Sequence, residues 1–292
     1  MSSGRFAPSP TGTLHLGNLR TAVLAWLFAR SAGSRFLVRM EDLDTGRVRE
    51  GFASQQLEDL AALGIDWDGP VAAQSSRLEL YADALERLHE RRLLYECYCT
   101  RAEIREAASA AHGPLPEGAY PGTCLRLSAA ELAQKRASGR PPALRVHAGG
   151  AHVAFDDRLL GRVEGVVDDF VVRRGDGAFA YNLAVVVDDA AQGIEEVVRG
   201  SDLADSTPRQ LWLARALGLP EPSYAHVPLV LGPDGARLAK RHGAVTLRDV
   251  PVADALAWMA SSLGFSGRTA QEWLAEFDPA RLPGADTRFE GV

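Results

Sequence analysis

Handling a phosphate takes backbone N–H groups, fixed cations and a main chain that lets an anion come close. Residues Pro8-Ser9-Pro10-Thr11-Gly12-Thr13-Leu14-His15-Leu16-Gly17-Asn18 have that make-up. They lie between a strand pattern and a helical pattern, so a helix N-terminus, which favours anions, would face a ligand there. His15 and Asn18 stand three apart and can both address a phosphate at that start. The same residues also suit a tight loop with a capping asparagine and an incidental histidine. A second candidate is Lys240, which follows a Pro233-Asp234-Gly235 turn in Arg237-Leu238-Ala239-Lys240-Arg241. Of 32 basic residues only Lys135 and Lys240 are lysines. A compact ammonium on a flexible stem is not equivalent to a planar guanidinium, so these two lysines stand apart from the arginines.

Thiols form the second chemical group. Cys97-Tyr98-Cys99 and Tyr120-Pro121-Gly122-Thr123-Cys124 put all three cysteines and a tyrosine in one window. A tetrahedral zinc site needs four ligands, so a fourth would come from Tyr120, His112 or water. Buried apolar thiols are the alternative. An odd number of clustered cysteines is not a secreted disulfide framework. The N-terminus lacks the apolar core of a signal peptide, and no run of about 18 apolar residues exists. A cytoplasmic protein with no membrane segment is expected.

The elements that must position these groups follow from periodicity. A strand near 4–9, a helix carrying Leu19, Val23, Trp26 and Leu27, a strand at 35–40 and helices near 49–63 and 76–88 alternate as βαβα. That order predicts a parallel sheet with right-handed crossovers and ligands at the strands' carboxyl ends. Between about 95 and 168 the helices shorten and Pro/Gly pairs multiply, with Ser128 and Glu131 as a capping box. Strands are expected again at 170–174, 181–187, 194–198 and 226–231. A helix over 207–217 has Pro208 in its first turn and Gly218 past its end, and two amphipathic helices near 252–263 and 269–277 close the chain. With 46% hydrophobic and 24% charged residues, disorder, collagen and a disulfide scaffold are excluded. The net charge of -6 argues against a uniformly basic nucleic-acid binder, although phosphate binding depends on local arginine placement.

Read together, Arg5-Phe6-Ala7-Pro8-Ser9-Pro10-Thr11-Gly12, His15-Leu16-Gly17-Asn18 and Arg237-Leu238-Ala239-Lys240-Arg241 resemble the two signatures of the glutamyl-tRNA synthetases, class I aminoacyl-tRNA synthetases. Asp66-Trp67-Asp68-Gly69-Pro70, Tyr181-Asn182-Leu183-Ala184-Val185-Val186-Val187-Asp188-Asp189, Val198-Arg199-Gly200-Ser201-Asp202 and Ser206-Thr207-Pro208-Arg209-Gln210 match internal stretches of that family. The resemblance runs from about residue 4 to 248. It implies an α/β, Rossmann-like parallel sheet with an acceptor-end-type zinc insertion and a short helical C-terminal part. The expected division is 1–94 and 169–248 for the catalytic halves, 95–168 for the insertion and 249–292 for a helical end, with no anticodon-binding domain.

The resemblance also implies the site. His15, Asn18 and Lys240 would be catalytic, and His15, Gly17, Asn18 and Lys240 would bind ATP, which enters with Mg²⁺ as substrate. Arg5, Ala7, Ser9, Glu41, Tyr181 and Arg199 would bind L-glutamate. Taken singly, Arg5 reads equally as a solvated terminus, Glu41 as part of an acidic turn and Tyr181 as a core aromatic. Two positions depart from the class signature: Arg237 keeps the charge of the usual lysine, whereas Ala239 loses a hydroxyl. The spacing Cys-x-Cys then Tyr-x-x-x-Cys resembles the zinc site of a short paralogue family, the glutamyl-queuosine tRNA(Asp) synthetases, which favours Cys97, Cys99, Tyr120 and Cys124 as ligands of one structural Zn²⁺. That family activates glutamate without tRNA and transfers it to queuosine in the anticodon loop of tRNA(Asp). The same activity is expected here, from a monomer. A truncated glutamyl-tRNA synthetase charging an acceptor end is the alternative.

Overall fold

In a computed structural model of the chain, the described residues are 2–110, 119–238 and 245–289. The first half runs β1 (Ser3–Phe6), α1 (Leu16–Ser31), β2 (Arg35–Met40), α2 (Phe52–Ala62), β3 (Ala72–Ala73) and α3 (Leu78–Glu90). The middle holds β4 (Leu94–Cys97), α4 (Arg101–Ala110), α5 (Ala129–Ala137), β5 (Ala143–Val146), β6 (His152–Asp157), β7 (Gly161–Val166) and β8 (Val171–Arg173). Then come α6 (Tyr181–Ala191), β9 (Glu196–Gly200), α7 (Thr207–Leu217), β10 (Ser223–Val227) and β11 (Val230–Leu231). The last elements are α8 (Val252–Leu263), α9 (Ala270–Glu276) and β12 (Thr287–Arg288).

The main sheet has the order β3-β2-β1-β9-β10-β6-β7. Every neighbouring pair in it is parallel except the β6–β7 hairpin at one edge. The fold is therefore α/β with a mostly parallel sheet. Its two halves wind outward in opposite directions from β1 and β9, so the order reverses between those strands. A reversal of this kind leaves a crevice at the strands' carboxyl ends. Phe6 ends β1 and Gly200 ends β9, and both border that crevice.

Helix α1 is apolar nearly all round because it is covered on two sides. Leu16, Leu19, Leu24, Leu27 and Phe28 are buried between the sheet and the C-terminal helices. Phe28 meets Phe277 edge to face at 5.2 Å, and Met259 and Trp273 join the same cluster. The expected helices near 252–263 and 269–277 are α8 and α9. The capping box at Ser128 and Glu131 is present, and Gly218 closes α7 with φ 63°, a left-handed value suited to glycine.

Two expectations fail. Residues 181–187 are not a strand but the first two turns of α6. All residues from Leu183 to Asp189 are buried, so the run is apolar in every direction and a period of 2 cannot be told from 3.6. The segment 226–231 is not one closing strand either: β10 ends at Val227, Pro228 interrupts it, and β11 pairs instead with β12 near the end of the chain. Within the middle region, β4, β5 and β8 form a separate antiparallel sheet, while β6 and β7 extend the main one. No described helix is long and apolar enough to cross a membrane.

Candidate functional site

A cleft of about 870 Å³ opens where the sheet order reverses. His15, Gly17 and Asn18 line one side of it. Arg5, Ala7, Ser9, Glu41, Tyr181 and Arg199 line the rest, so topology gathers these six positions from four separate stretches of chain. Lys240 and His112 lie outside the described residues. The chain on either side of 239–244 is nevertheless anchored at this cleft. Leu238 N–H donates to Val230 O at 2.8 Å, and Leu16 N–H donates to Val245 O at 2.9 Å. Thr246 forms a bridge with His15 itself. Arg237 reaches the cleft wall and pairs with Asp202.

His15 is the N-cap of α1, and its Nδ1 accepts from Asn18 N–H at 3.2 Å. A neutral ring that accepts at Nδ1 carries its proton on Nε2, where it is a donor. Burial, helped by the Arg237 cation, pushes the imidazole down to about 4, so it is neutral at physiological pH. Gly17 makes room for this ring. A Cβ there would come within 3.1 Å of the His15 ring and 3.2 Å of the Val230 side chain.

The side of the cleft formed by Arg5, Glu41, Tyr181 and Arg199 rests on buried charges. Arg5, 4% exposed, holds Asp189 through Nε and Nη2, both at 3.2 Å. Arg39, fully buried, donates to the same carboxylate at 2.8 Å and to Gln192 at 2.7 Å. Asp188 beside it accepts from Arg77 at 2.5 Å, Gln74 at 2.9 Å and Tyr81 at 2.8 Å. Burial alone would raise Asp189, but Arg5 and Arg39 outweigh it and hold the carboxyl below its usual range. Glu41 is the opposite case. Burial pushes it up to about 7, against the pull of Arg39, 3.6 Å away, and of Arg5. Tyr181 is 40% exposed, so it presents its ring to the cleft rather than packing in the core.

Arg199 is held through Nε and Nη2 by His226 and Thr207, at 3.1 and 2.8 Å. Neither arginine therefore keeps a free Nε–Nη2 fork of the kind that grips a carboxylate bidentately. Asp188, Asp189, Arg39, Gln192, Thr207 and His226 are supporting residues that sequence reasoning left unassigned. The paired aspartates inside the apolar run 183–189 were the one visible signal.

A second cleft, of about 810 Å³, shares Ser9, Glu41 and Tyr181 with the first and runs toward Cys97 and Cys99. Arg101, Arg140, Arg145 and Arg174 line it. The Sγ atoms of Cys97, Cys99 and Cys124 all lie within 4.8 Å of one another. Tyr120 Oη stands 3.5 Å from Cys97 Sγ and 3.6 Å from Cys99 Sγ, and it accepts from Cys124 N–H at 2.8 Å. Three sulfurs and an oxygen converging this closely fit a tetrahedral ion with metal–sulfur bonds of about 2.3 Å. Arg145 stacks over the Tyr120 ring at 3.7 Å and ties this cluster to β5.

The family described as class I tRNA synthetases (E and Q), catalytic domain, matches residues 3–262. The chain is 62% identical over 286 residues to the glutamyl-Q tRNA(Asp) synthetase of Nocardia farcinica, covering 96% of this chain and 91% of that protein. It is 49% identical to the protein of the same name from Symbiobacterium thermophilum, over 99% of this chain and 96% of that one. Among solved structures, the glutamate-tRNA synthetase of Elizabethkingia anophelis superposes with a TM-score of 0.83 at 27% identity, over 99% of this chain and 68% of that one.

Proposed function

The chain belongs to the class I glutamyl and glutaminyl tRNA synthetase family, and from that premise we propose that it activates L-glutamate with ATP and transfers it to queuosine in tRNA(Asp). The observation that carries the reading is near-full-length identity of 62% to a glutamyl-Q tRNA(Asp) synthetase. The cleft supports it, because every described residue of the glutamate and ATP pattern lines one cavity.

In this reading a glutamate carboxylate oxygen attacks the α-phosphorus of ATP, the bond to the bridging oxygen breaks, and pyrophosphate leaves. A queuosine hydroxyl then attacks the acyl carbon, its proton is lost, and AMP departs. No protein nucleophile is needed. Catalysis consists of placing donors and cations where negative charge builds up. The His15 Nε2–H donates to a phosphate oxygen without adding charge of its own. Lys240 supplies the movable cation, and the described residues on either side of it are held at this cleft, Leu238 by Val230 and Val245 by Leu16. The free ends of Arg5 and Arg199 meet substrate carboxylate, and ionised Glu41 pairs with the α-ammonium.

The acceptor base approaches through the second cleft, where Arg101, Arg140 and Arg174 meet backbone phosphates while Ser9, Glu41 and Tyr181 adjoin the adenylate. Cys97, Cys99, Tyr120 and Cys124 would hold one structural zinc ion that pins β4 to the segment around Cys124. The direct test of activation is ATP–pyrophosphate exchange with glutamate and no tRNA. Exchange is expected, and its absence would overturn the reading.

A further inference from the structure

Arg5 meets a carboxylate, whereas Arg199 does not. Arg199 is 5% exposed, and among the described residues its guanidinium is met by the His226 ring, the Thr207 hydroxyl and, at 3.5 Å, the Leu203 carbonyl. Its Nη1 is buried without a partner among them, although the residue lines the cleft. Arginine has donors only, so His226 must accept at Nε2. What holds the ring in that form is Asp157. Its Oδ2 lies 2.6 Å from His226 Nδ1, while its Oδ1 accepts from the N–H groups of Leu159 and Leu160 at 2.9 and 3.0 Å. Both side chains are fully buried, and Tyr224 stacks on the imidazole at 5.8 Å. The three residues sit on β6, β10 and β9, three adjacent strands.

We propose that Asp157 and His226 are positioning residues for Arg199, fixing the imidazole tautomer so that Nη1 is kept for a substrate carboxylate. The inference rests on the glutamate-activation reading.

Asp157→Asn tests it. Oδ1 must remain an acceptor for three N–H groups, those of Leu159, Leu160 and His226, so the amide nitrogen takes the place of Oδ2 and donates to Nδ1. The ring proton then moves to Nε2, where it confronts the Arg199 N–H. In ATP–pyrophosphate exchange the KM for glutamate should rise about tenfold or more, with the KM for ATP within about twofold of wild type. His226→Phe removes the imidazole through which Asp157 acts, so D157N in that background should change the glutamate KM less than about twofold. If D157N fails to fold, His226→Phe must show the same split, because Asp157 keeps its backbone donors. An unchanged glutamate KM in D157N overturns the proposal, and so does an equal loss for both substrates with lowered Tm. Absence of exchange in the wild-type protein would instead overturn the functional reading.

Discussion

Glu41 makes the sharpest residue-scale statement. Its carboxyl is pushed up to about 7 by burial, so it is mostly neutral at pH 6 and mostly ionised at pH 8. If the ionised form pairs with the substrate ammonium, the glutamate KM should fall roughly tenfold between those pH values, since one pKa unit is a factor of ten. The KM for ATP should stay flat, and Glu41→Gln should bind glutamate weakly at both. Stability runs the other way. The folded-state value lies above the ordinary 4.5, so this group's contribution falls as pH rises from 4.5 through about 7. E41Q should therefore have a higher Tm than wild type at pH 8, measured by thermal denaturation, while losing glutamate affinity. Lys240→Ala should reduce pyrophosphate exchange by about a hundredfold or more with Tm unchanged, as expected for a preorganised cation at developing charge. Unchanged exchange would remove Lys240 from the mechanism.

The cleft-lining residues were legible because they fall in short contiguous motifs, His15 to Asn18 above all. Their supports were not. Arg5 and Asp189 are 184 positions apart, and Asp157 and His226 are 69 apart. Only the packing of the strands and of α6 places such residues side by side, and one sequence does not display that packing.

At the scale of elements, the strand-to-helix turn before α1 sets the geometry of the His15 side of the cleft. Gly17 lets the His15 ring lie against the helix start, and no side chain fits there without displacing it. Gly17→Ala should lower kcat for exchange by less than about tenfold, because the His15 ring and Val230 need give only a few tenths of an ångström, against roughly a hundredfold for a misplacement of about 1 Å. Tm should change little, and steady-state kinetics with circular dichroism checks both. Helix α6 teaches a different lesson. Its Tyr181 and Asp189 serve the cleft even though the element was expected to be a strand, because the motif and the local fold are separate signals. Apolar character on all sides erased the period but left the motif readable. The thiol cluster belongs to this scale too. Purified protein should carry about one zinc ion per chain by elemental analysis, and less than about half would contradict the site. Cys99→Ser or chelation should lower Tm, since the ion would join β4 to the segment around Cys124.

For the whole molecule, charge is a matter of placement. The net charge is -6, yet four arginines line the second cleft. The α/β architecture was readable from the alternation of strand and helix patterns. The β6–β7 hairpin at the sheet edge was not, because no residue of β7 is buried and its glycines and charged residues weaken the strand signal. If the arginines of the second cleft meet phosphates, binding of tRNA should weaken steeply with added salt, whereas glutamate-dependent exchange without tRNA should not. The central claim is the identity of the acceptor. Incubation with radiolabelled glutamate, ATP and Mg²⁺ should label tRNA(Asp) that carries queuosine and leave queuosine-free tRNA(Asp) unlabelled. Label on queuosine-free tRNA at its 3′ end would contradict the account.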